Sequence, residues 1–155
     1  MYQRILVPID GSATSDRGLE EAIKLGKLTG AKLRLLHVVD DLSLASAGGM
    51  AYTGDMLGIL RAEGGEIVSK AQAQVQARGL EVDTVLNDSL AGRVSDIVLA
   101  QVGSWGADLI VLGTHGRRGV RRLFMGSDAE NIIRASTVPV LLLRADPVAA
   151  AADAF

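Results

Sequence analysis

The chain contains no cysteine, which excludes disulfide bonds, thiolate metal sites and cysteine nucleophiles. It also has no apolar run that approaches the roughly 20 residues of a membrane-spanning helix. The amino-terminal sequence MYQRILVPID lacks the long apolar stretch and the small-residue cleavage site of a secretion signal. We therefore expect a cytoplasmic protein that has no membrane partner.

Neither sign of charge is in large excess. The 155 residues have a formal net charge of -2, so the chain has no general attraction for nucleic acid and we expect no nucleic-acid partner. The hydrophobic content of 48% is typical of a globular protein, and the length suits one domain better than two. We predict one domain over residues 1–145 and a disordered, alanine-rich tail over residues 146–155.

Short apolar segments alternate with stretches of helical periodicity along the chain. Glycines such as Gly30 and Gly106 follow two of the helical stretches and are expected to end those helices. Residues 42–58 are rich in Ala, Ser and Gly, which favours a loop, and the next helix is expected over residues 59–78. The predicted strands are residues 5–9, 33–39, 81–86, 109–112 and 140–143.

Five strands that alternate with four helices predict an α/β fold, in which a mostly parallel sheet is covered by helices on both faces. The third strand alternates polar and apolar residues, which favours a position at the sheet edge. Such doubly wound sheets bind ligands beyond the carboxyl ends of their strands, where the strand order reverses. Residues 8–11 follow the first strand and residues 113–126 follow the fourth. If those strands are neighbours, a pocket lies between them.

The loop after the fourth strand reads GTHGRRGVRRLFMGS, with glycines at positions 113, 116 and 126. Glycine lets a backbone turn sharply and approach a ligand closely because it has no Cβ. A helix that starts near Ser127 would point unpaired N–H groups into this loop, with the Ser127 hydroxyl as its cap. The arrangement favours an anion, and phosphate is the anion that we expect. The alternative is that the glycines only mark a loop.

Four arginines lie in the same loop, and a fully solvated basic face is one explanation for them. We expect only Arg117 or Arg118 to reach a phosphate. Directly after the loop, Asp128 places a carboxylate in the first turn of the predicted helix. A carboxylate suits the positive end of a helix dipole, by about 0.3–1 kcal/mol. It would repel a triphosphate unless it turns outward or meets an arginine or Mg²⁺.

The spacing of Gly113, Gly116, Gly126 and Ser127, with two and nine residues between the glycines, resembles the nucleotide-binding signature of the universal stress protein family. This long signature is much more specific than a single GxGxxG motif. The resemblance covers nearly the whole chain. It extends to the segments ILVPID at the start, HVVD at the end of the second strand, GADLIVLGTHG into the loop, and PV before the last strand.

The resemblance implies a single-domain, five-stranded parallel sheet of order 3-2-1-4-5 that is usually dimeric and binds ATP. It assigns Asp10 and the backbone of Val38 to adenine, and Pro8 and Gly113 to the ribose. It assigns Gly116, Gly126 and Ser127 to the phosphates. The predicted site also takes in adjacent positions: Leu112, His115, Arg117 and Asp128. The Ser127 hydroxyl is expected to bond phosphate or a ligand of Mg²⁺.

Several of these residues have a simpler structural explanation. Asp10 could cap the first helix or form an Asx-turn. His37 lies within an apolar strand, so a hydrogen-bonded core histidine is favoured over a ligand. His115 and His37 are far apart and without cysteine make a poor metal site. Trp105 is most simply part of the core.

Three functions fit the sequence. The first is an ATP-binding stress-response or regulatory protein, with Mg²⁺ accompanying the nucleotide and residues 42–58 as a lid. The second is a weak ATPase; the chain lacks a Walker lysine, a His-x-Gly-His pair and a Ser-Gly-Gly-x-Asp-Ser loop, so we expect slow hydrolysis at most. The third is an interaction module without nucleotide. A homodimer through the edge strand Val140 to Leu143 is expected in either the first or the third.

Overall fold

The computed structural model describes residues 1–39, 54–114 and 125–144. The strands within these ranges are β1 (Arg4–Pro8), β2 (Lys32–Val38), β3 (Val82–Asn87), β4 (Leu109–Gly113) and β5 (Val140–Leu143). The helices are α1 (Ala13–Thr29), α2 (Gly54–Ala77), α3 (Val94–Trp105) and α4 (Ser127–Ala135). No described helix is both long enough and apolar enough to cross a membrane.

The strands form one parallel sheet of order β3-β2-β1-β4-β5, which confirms the predicted fold. The chain runs outward from β1 to β2 and β3, then returns to place β4 and β5 on the other side. The strand order therefore reverses between β1 and β4. β3 lies at one edge of this sheet, as its alternating sequence indicated, and β5 lies at the other.

Helices cover both faces of the sheet, and successive side chains of a strand point to opposite faces. In β1, Ile5 and Val7 pack in a core cluster with residues of α1 and α2. Leu6, between them, packs in a second cluster with residues of α3 and α4. Trp105 is only partly buried at the border of this second cluster, with the Arg34 guanidinium 4.6 Å from its ring centroid. It is a rim residue with a cation–π contact rather than a buried core residue.

Glycine and serine set the limits of the helices. The Ser12 hydroxyl accepts a hydrogen bond from the Ser15 N–H at the start of α1. Gly30 ends α1 with φ of 73° and Gly106 ends α3 with φ of 72°. Both glycines adopt the left-handed conformation that disfavours a side chain, so the predicted helix ends are confirmed.

The start of α2 differs from the prediction. The helix begins at Gly54, so Gly54 to Gly58 are helical and do not belong to a loop. A Cβ at Gly58 would meet nothing within 4 Å, so neither a turn nor a close contact requires glycine at this position. The glycine-rich composition therefore led to the wrong boundary. The remainder of the predicted lid, residues 42–53, and the tail residues 145–155 lie outside the described ranges.

Candidate functional site

Three chain segments meet at the carboxyl edge of the sheet beside the reversal point. β1 continues into Ile9, whose N–H donates to the Leu36 carbonyl at 2.8 Å. β4 continues into Thr114, whose N–H donates to the Leu143 carbonyl at 2.9 Å. The Gly126 N–H donates to the Thr114 carbonyl at 2.8 Å, so the glycine loop returns to the point where it left the sheet. The predicted strand-to-loop-to-helix arrangement is thus present at the end of β4.

Part of the predicted site cannot be placed. His115, Gly116 and Arg117 lie outside the described residues, as do the other three arginines of the loop. The structure brings the remaining predicted positions to one edge of the sheet. Pro8 ends β1, Val38 ends β2, and Leu112 is paired with Leu142 one position before the ladder between β4 and β5 ends. The side chain of Leu112 is buried in the second core cluster, which leaves its backbone to face the edge.

Gly113 has a packing reason for being glycine. A Cβ at this position would lie 2.8 Å from both the carbonyl carbon and the Cβ of Thr14, near the start of α1. These atoms belong to the backbone and to a buried side chain, so they cannot move away cheaply. The absence of a side chain at Gly113 therefore lets the amino-terminal end of α1 pack directly on the end of β4.

The amino-terminal end of α4 carries no side-chain cap. Gly126 is the N-cap residue and Ser127 is the first helical residue, so the prediction that Ser127 caps the helix is wrong. Gly126 is the N-cap because its backbone, with φ of -59° and ψ of 149°, is not yet helical, whereas Ser127 is already helical. The N–H groups of the first helical turn have no partner within a helix. They lie at the carboxyl edge of the sheet, where they could bind an anion.

The carboxylate of Asp128 is hydrogen-bonded to the neighbouring helix α3. Its Oδ1 accepts a hydrogen bond from the Ser95 N–H at 3.2 Å, in the first turn of α3. The N-cap residue of α3 is Arg93, which makes no side-chain cap hydrogen bond. Asp128 therefore caps α3 from the neighbouring helix. Sequence reasoning missed this contact because the two residues are 33 positions apart.

Asp10 forms the turn that joins β1 to α1. Its Oδ1 accepts from the Ser12 N–H at 2.9 Å, and its own N–H donates to the Ser15 hydroxyl at 3.1 Å. This is the Asx-turn that the sequence allowed as an alternative. Gly11 within the turn has φ of 79°, beneath the Ile67 side chain of α2. The turn fixes one carboxylate oxygen of Asp10 at the end of β1.

The charges around this turn are predominantly negative. Burial raises the pKa of Asp16, in the first turn of α1, above its ordinary value. The positive charge of Lys70 opposes this shift, whereas the negative charges of Asp10 and Glu20 add to it. A ligand group beside Asp10 would therefore meet negative charge, which favours a hydrogen-bond donor over an anion at this end of the edge.

His37 is a buried, hydrogen-bonded core histidine, as the sequence indicated. It is 6% exposed, and its Nδ1 lies 2.8 Å from the Ile9 carbonyl oxygen. The adjacent Val38 ends β2, and the Val39 N–H donates to the Asn87 carbonyl at 2.8 Å. The ends of β1 and β2 are thus joined by a side chain at the edge of the candidate site.

The fold and this edge define a doubly wound α/β protein with a glycine-bounded loop at its reversal point. The model of the universal stress protein family matches residues 1–144. Universal stress protein A homolog 2 of Coxiella burnetii is 31% identical over 145 residues, which cover 92% of this chain and 95% of the relative. Universal stress protein YxiE of Bacillus subtilis is 28% identical over 151 residues, which cover 93% and 100%. The chain belongs to the universal stress protein family.

Solved structures share the same fold. Protein MJ0577 of Methanocaldococcus jannaschii has a TM-score of 0.83 at 24% identity, over 95% of this chain and 99% of that one. A universal stress protein from Archaeoglobus fulgidus in complex with dAMP has a TM-score of 0.66 at 22% identity, over 92% and 98%. A universal stress protein in complex with cAMP has a TM-score of 0.65 at 22% identity, over 92% and 97%. At these identities the likeness shows the fold alone.

Proposed function

We propose that this protein binds ATP at the carboxyl edge of β1 and β4, and that the bound nucleotide changes its conformation or its dimer partners. The observation that supports the proposal is that the Asp10 turn and the uncapped start of α4 both lie at the carboxyl edge of the sheet, after the two strands between which the strand order reverses. A hydrogen-bond acceptor lies after β1, and a helix end that could bind an anion lies after β4. An adenine nucleotide likewise has a donor, its amino group, at one end and its phosphates at the other.

The binding roles follow from the chemistry of each position. The Asp10 carboxylate and the Val38 backbone would bind adenine, and the backbones of Pro8 and Gly113 would flank the ribose. The first-turn N–H groups of α4 and the Ser127 hydroxyl would bind phosphate, with Gly126 allowing close approach. Because Asp128 is bonded to Ser95, its carboxylate need not face the phosphates. ATP would supply the phosphate charge that these N–H groups bind, and its phosphates would bring Mg²⁺ to the site.

The complexes of two structural relatives with dAMP and cAMP support adenine nucleotides as the ligand class. They also make AMP and a cyclic nucleotide the natural competitors of ATP. We propose ATP because the glycine loop is long and ends at an uncapped helix, which suits more than one phosphate. Arg117 or Arg118 would add positive charge at this end.

The first test is native mass spectrometry of the purified protein for co-purified nucleotide, followed by calorimetric titration with ATP and Mg²⁺. We expect ATP to bind more tightly than AMP and cAMP. Wild-type protein that carries no nucleotide and gives no heat with ATP would refute the proposal. That result would leave the nucleotide-free interaction module as the remaining function.

Gly126→Val provides the matched variant. A Cβ at Gly126 would lie 3.4 Å from the Thr114 carbonyl oxygen, an ordinary contact, and the φ of -59° suits any residue. The variant is therefore expected to fold but to lose ATP binding, because the added methyl groups enter the phosphate path. Gly103→Val, at an open position of α3, is the control and should bind as the wild type does. Equal binding of ATP by both variants would show that the phosphates do not bind at the start of α4.

We propose a homodimer in which β5, from Val140 to Leu143, pairs with the same strand of a second copy. Its place at the edge of the described sheet supports this, and Leu141 is 36% exposed there. The cytoplasmic location and the lack of a nucleic-acid partner stay predictions from the sequence.

A further inference from the structure

We infer that His37 is a positioning residue for the nucleobase: its imidazole takes the Ile9 carbonyl and thereby leaves the Val38 N–H for a ligand. The inference rests on the proposed function, because Val38 belongs to the proposed adenine end of the site. It assigns a role to a buried side chain that does not itself touch the nucleotide.

The hydrogen bond of His37 fixes the state of its ring. Nδ1 lies 2.8 Å from the Ile9 carbonyl oxygen, and the side chain is 6% exposed. A carbonyl oxygen accepts hydrogen bonds and cannot donate them, so Nδ1 must carry the proton. Ile9 is the residue directly before Asp10, and its carbonyl is therefore held at the start of the Asx-turn.

This bond stands where the next step of the β1–β2 ladder would fall. Pro8 is opposite Leu36, so Ile9 comes opposite His37. The Ile9 N–H donates to the Leu36 carbonyl at 2.8 Å, and in a continued parallel ladder the Ile9 carbonyl would accept from the Val38 N–H. It accepts instead from the imidazole, and within the described ranges the Val38 N–H makes no hydrogen bond to Ile9.

The direction of the β2 backbone places the released group at the candidate site. The Val39 N–H donates to Asn87 of β3. Because backbone groups alternate in direction along a strand, the N–H and carbonyl of Val38 point the opposite way, past the end of β1. They offer a donor and an acceptor side by side, close to the Asp10 turn. A nucleobase edge carries the matching acceptor and donor.

Helix α2 holds the imidazole in this position. A Cβ at Gly64 would lie 2.8 Å from His37 Cδ2 and 3.1 Å from Nε2, so the ring packs directly on the helix backbone. The Leu86 side chain lies beside the same point, 2.9 Å from that Cβ position. The ring cannot rotate away from Ile9 without displacing the helix, which makes the orientation of the carbonyl a fixed property of the fold.

The test compares two variants that differ in hydrogen-bond donation. His37→Asn keeps an N–H donor close to the position of Nδ1, whereas His37→Leu fills the apolar space without a donor. We expect the Kd for ATP, measured by calorimetry, to stay within about twofold for His37→Asn and to rise about tenfold or more for His37→Leu. Leu35→Val is the structural control, since Leu35 is fully buried two residues earlier on the same face.

A second readout uses the protein without nucleotide. Histidine ¹⁵N spectra should show His37 protonated at Nδ1. The Val38 amide should exchange rapidly with solvent in the wild type and more slowly in His37→Leu, because the Ile9 carbonyl then becomes available to it. If His37 only filled space, its ring would not need to be protonated at Nδ1. Its replacement by leucine would then leave the exchange rate of the Val38 amide unchanged.

Four results overturn the inference. They are an Nε2-protonated ring, a slowly exchanging Val38 amide in the wild type, ATP binding by His37→Leu that equals the wild type, and an equal loss in Leu35→Val. Wild-type protein that binds no nucleotide refutes the proposed function itself, and this is visible before any variant is made. In that case His37 would serve only the fold, even with the expected tautomer.

Discussion

Among single residues, Asp128 has the largest difference between its expected and its observed surroundings. Its position after Ser127 suggested a carboxylate that faces phosphate, but its Oδ1 accepts from the Ser95 N–H at 3.2 Å. The first turn of α3 then receives the negative charge that its dipole favours, and α3 has no capping side chain of its own. The acidic residue beside the proposed phosphate site is explained by helix packing.

Replacing Asp128 should separate capping from charge. Asp128→Ala removes the acceptor and is expected to lower the free energy of unfolding by about 0.5–2 kcal/mol. Asp128→Asn keeps an acceptor oxygen and should cost only a few tenths of a kcal/mol, in keeping with the near-equal capping strength of Asn and Asp. Urea denaturation followed by circular dichroism measures both values.

The control for this pair is Glu130→Ala, which removes an exposed ion pair with Arg134 one turn along α4. Such surface pairs contribute about 0.3–0.5 kcal/mol. If Asp128→Ala cost no more than Glu130→Ala, the contact with Ser95 would have no part in holding α3, and repulsion of phosphate would again be the main effect of the Asp128 charge.

Among the secondary-structure elements, α2 has two adjacent glycines with opposite surroundings. A Cβ at Gly64 would lie 2.8 Å from His37 and 2.9 Å from Leu86, whereas a Cβ at Gly65 would meet nothing within 4 Å. Both residues lie well inside the helix, where alanine is intrinsically better than glycine by about 1 kcal/mol. Packing against β2 and β3 therefore opposes the helical preference for alanine at Gly64. At Gly65 nothing opposes that preference.

The two alanine variants of α2 should shift stability in opposite directions. Gly65→Ala is expected to raise the free energy of unfolding by about 0.4–1 kcal/mol, because it restricts the unfolded chain at no steric cost. Gly64→Ala should lower it by about 1–3 kcal/mol, because the methyl group must displace the His37 ring. Thermal and urea unfolding of both proteins measure the difference. Stabilisation by Gly64→Ala would show that the ring moves aside easily.

These elements also show what the sequence could predict. The boundaries of the strands came within one residue of the observed ones, because buried apolar runs are short and distinct. Gly30 and Gly106 were recognised as helix ends because only glycine adopts a left-handed conformation without strain. The predicted start of α2 and the predicted cap of α4 were wrong. Glycine occurs within helices as well as in loops, and serine can be the first helical residue as well as the cap. Contacts between distant residues, such as His37 with Ile9, leave no local pattern.

At the level of the whole molecule, the alternation of strands and helices predicted the parallel sheet, and the family resemblance supplied its strand order. The ligand site was predicted at the carboxyl edge because ligands of such sheets bind where the strand order reverses. The exact hydrogen bonds at that edge could not be predicted, because they depend on how Asp10, Thr114 and Gly126 are brought together in space. The oligomeric state is the remaining property at this scale, and we propose that it depends on β5.

The geometry of β5 leaves backbone groups directed away from the sheet. The Pro139 carbonyl accepts from the Ile110 N–H and the Leu143 carbonyl accepts from the Thr114 N–H, both on the β4 side. Backbone groups of alternate residues point in opposite directions, so the N–H and carbonyl groups of Val140 and Leu142 point away from β4. An antiparallel pair of such strands about a two-fold axis would join two sheets into one.

A charge on this strand should oppose that pairing. In a two-fold pair Leu141 would lie near its own copy, so Leu141→Glu places like charges close together and should raise the dimer dissociation constant about tenfold or more. Leu28→Glu, at an 80% exposed position of α1, is the control and should not affect assembly. Sedimentation velocity over a range of concentrations measures both variants. A monomeric wild type, or a Leu141→Glu dimer as tight as the wild type, would exclude β5 as the interface, and ATP would then act within one subunit.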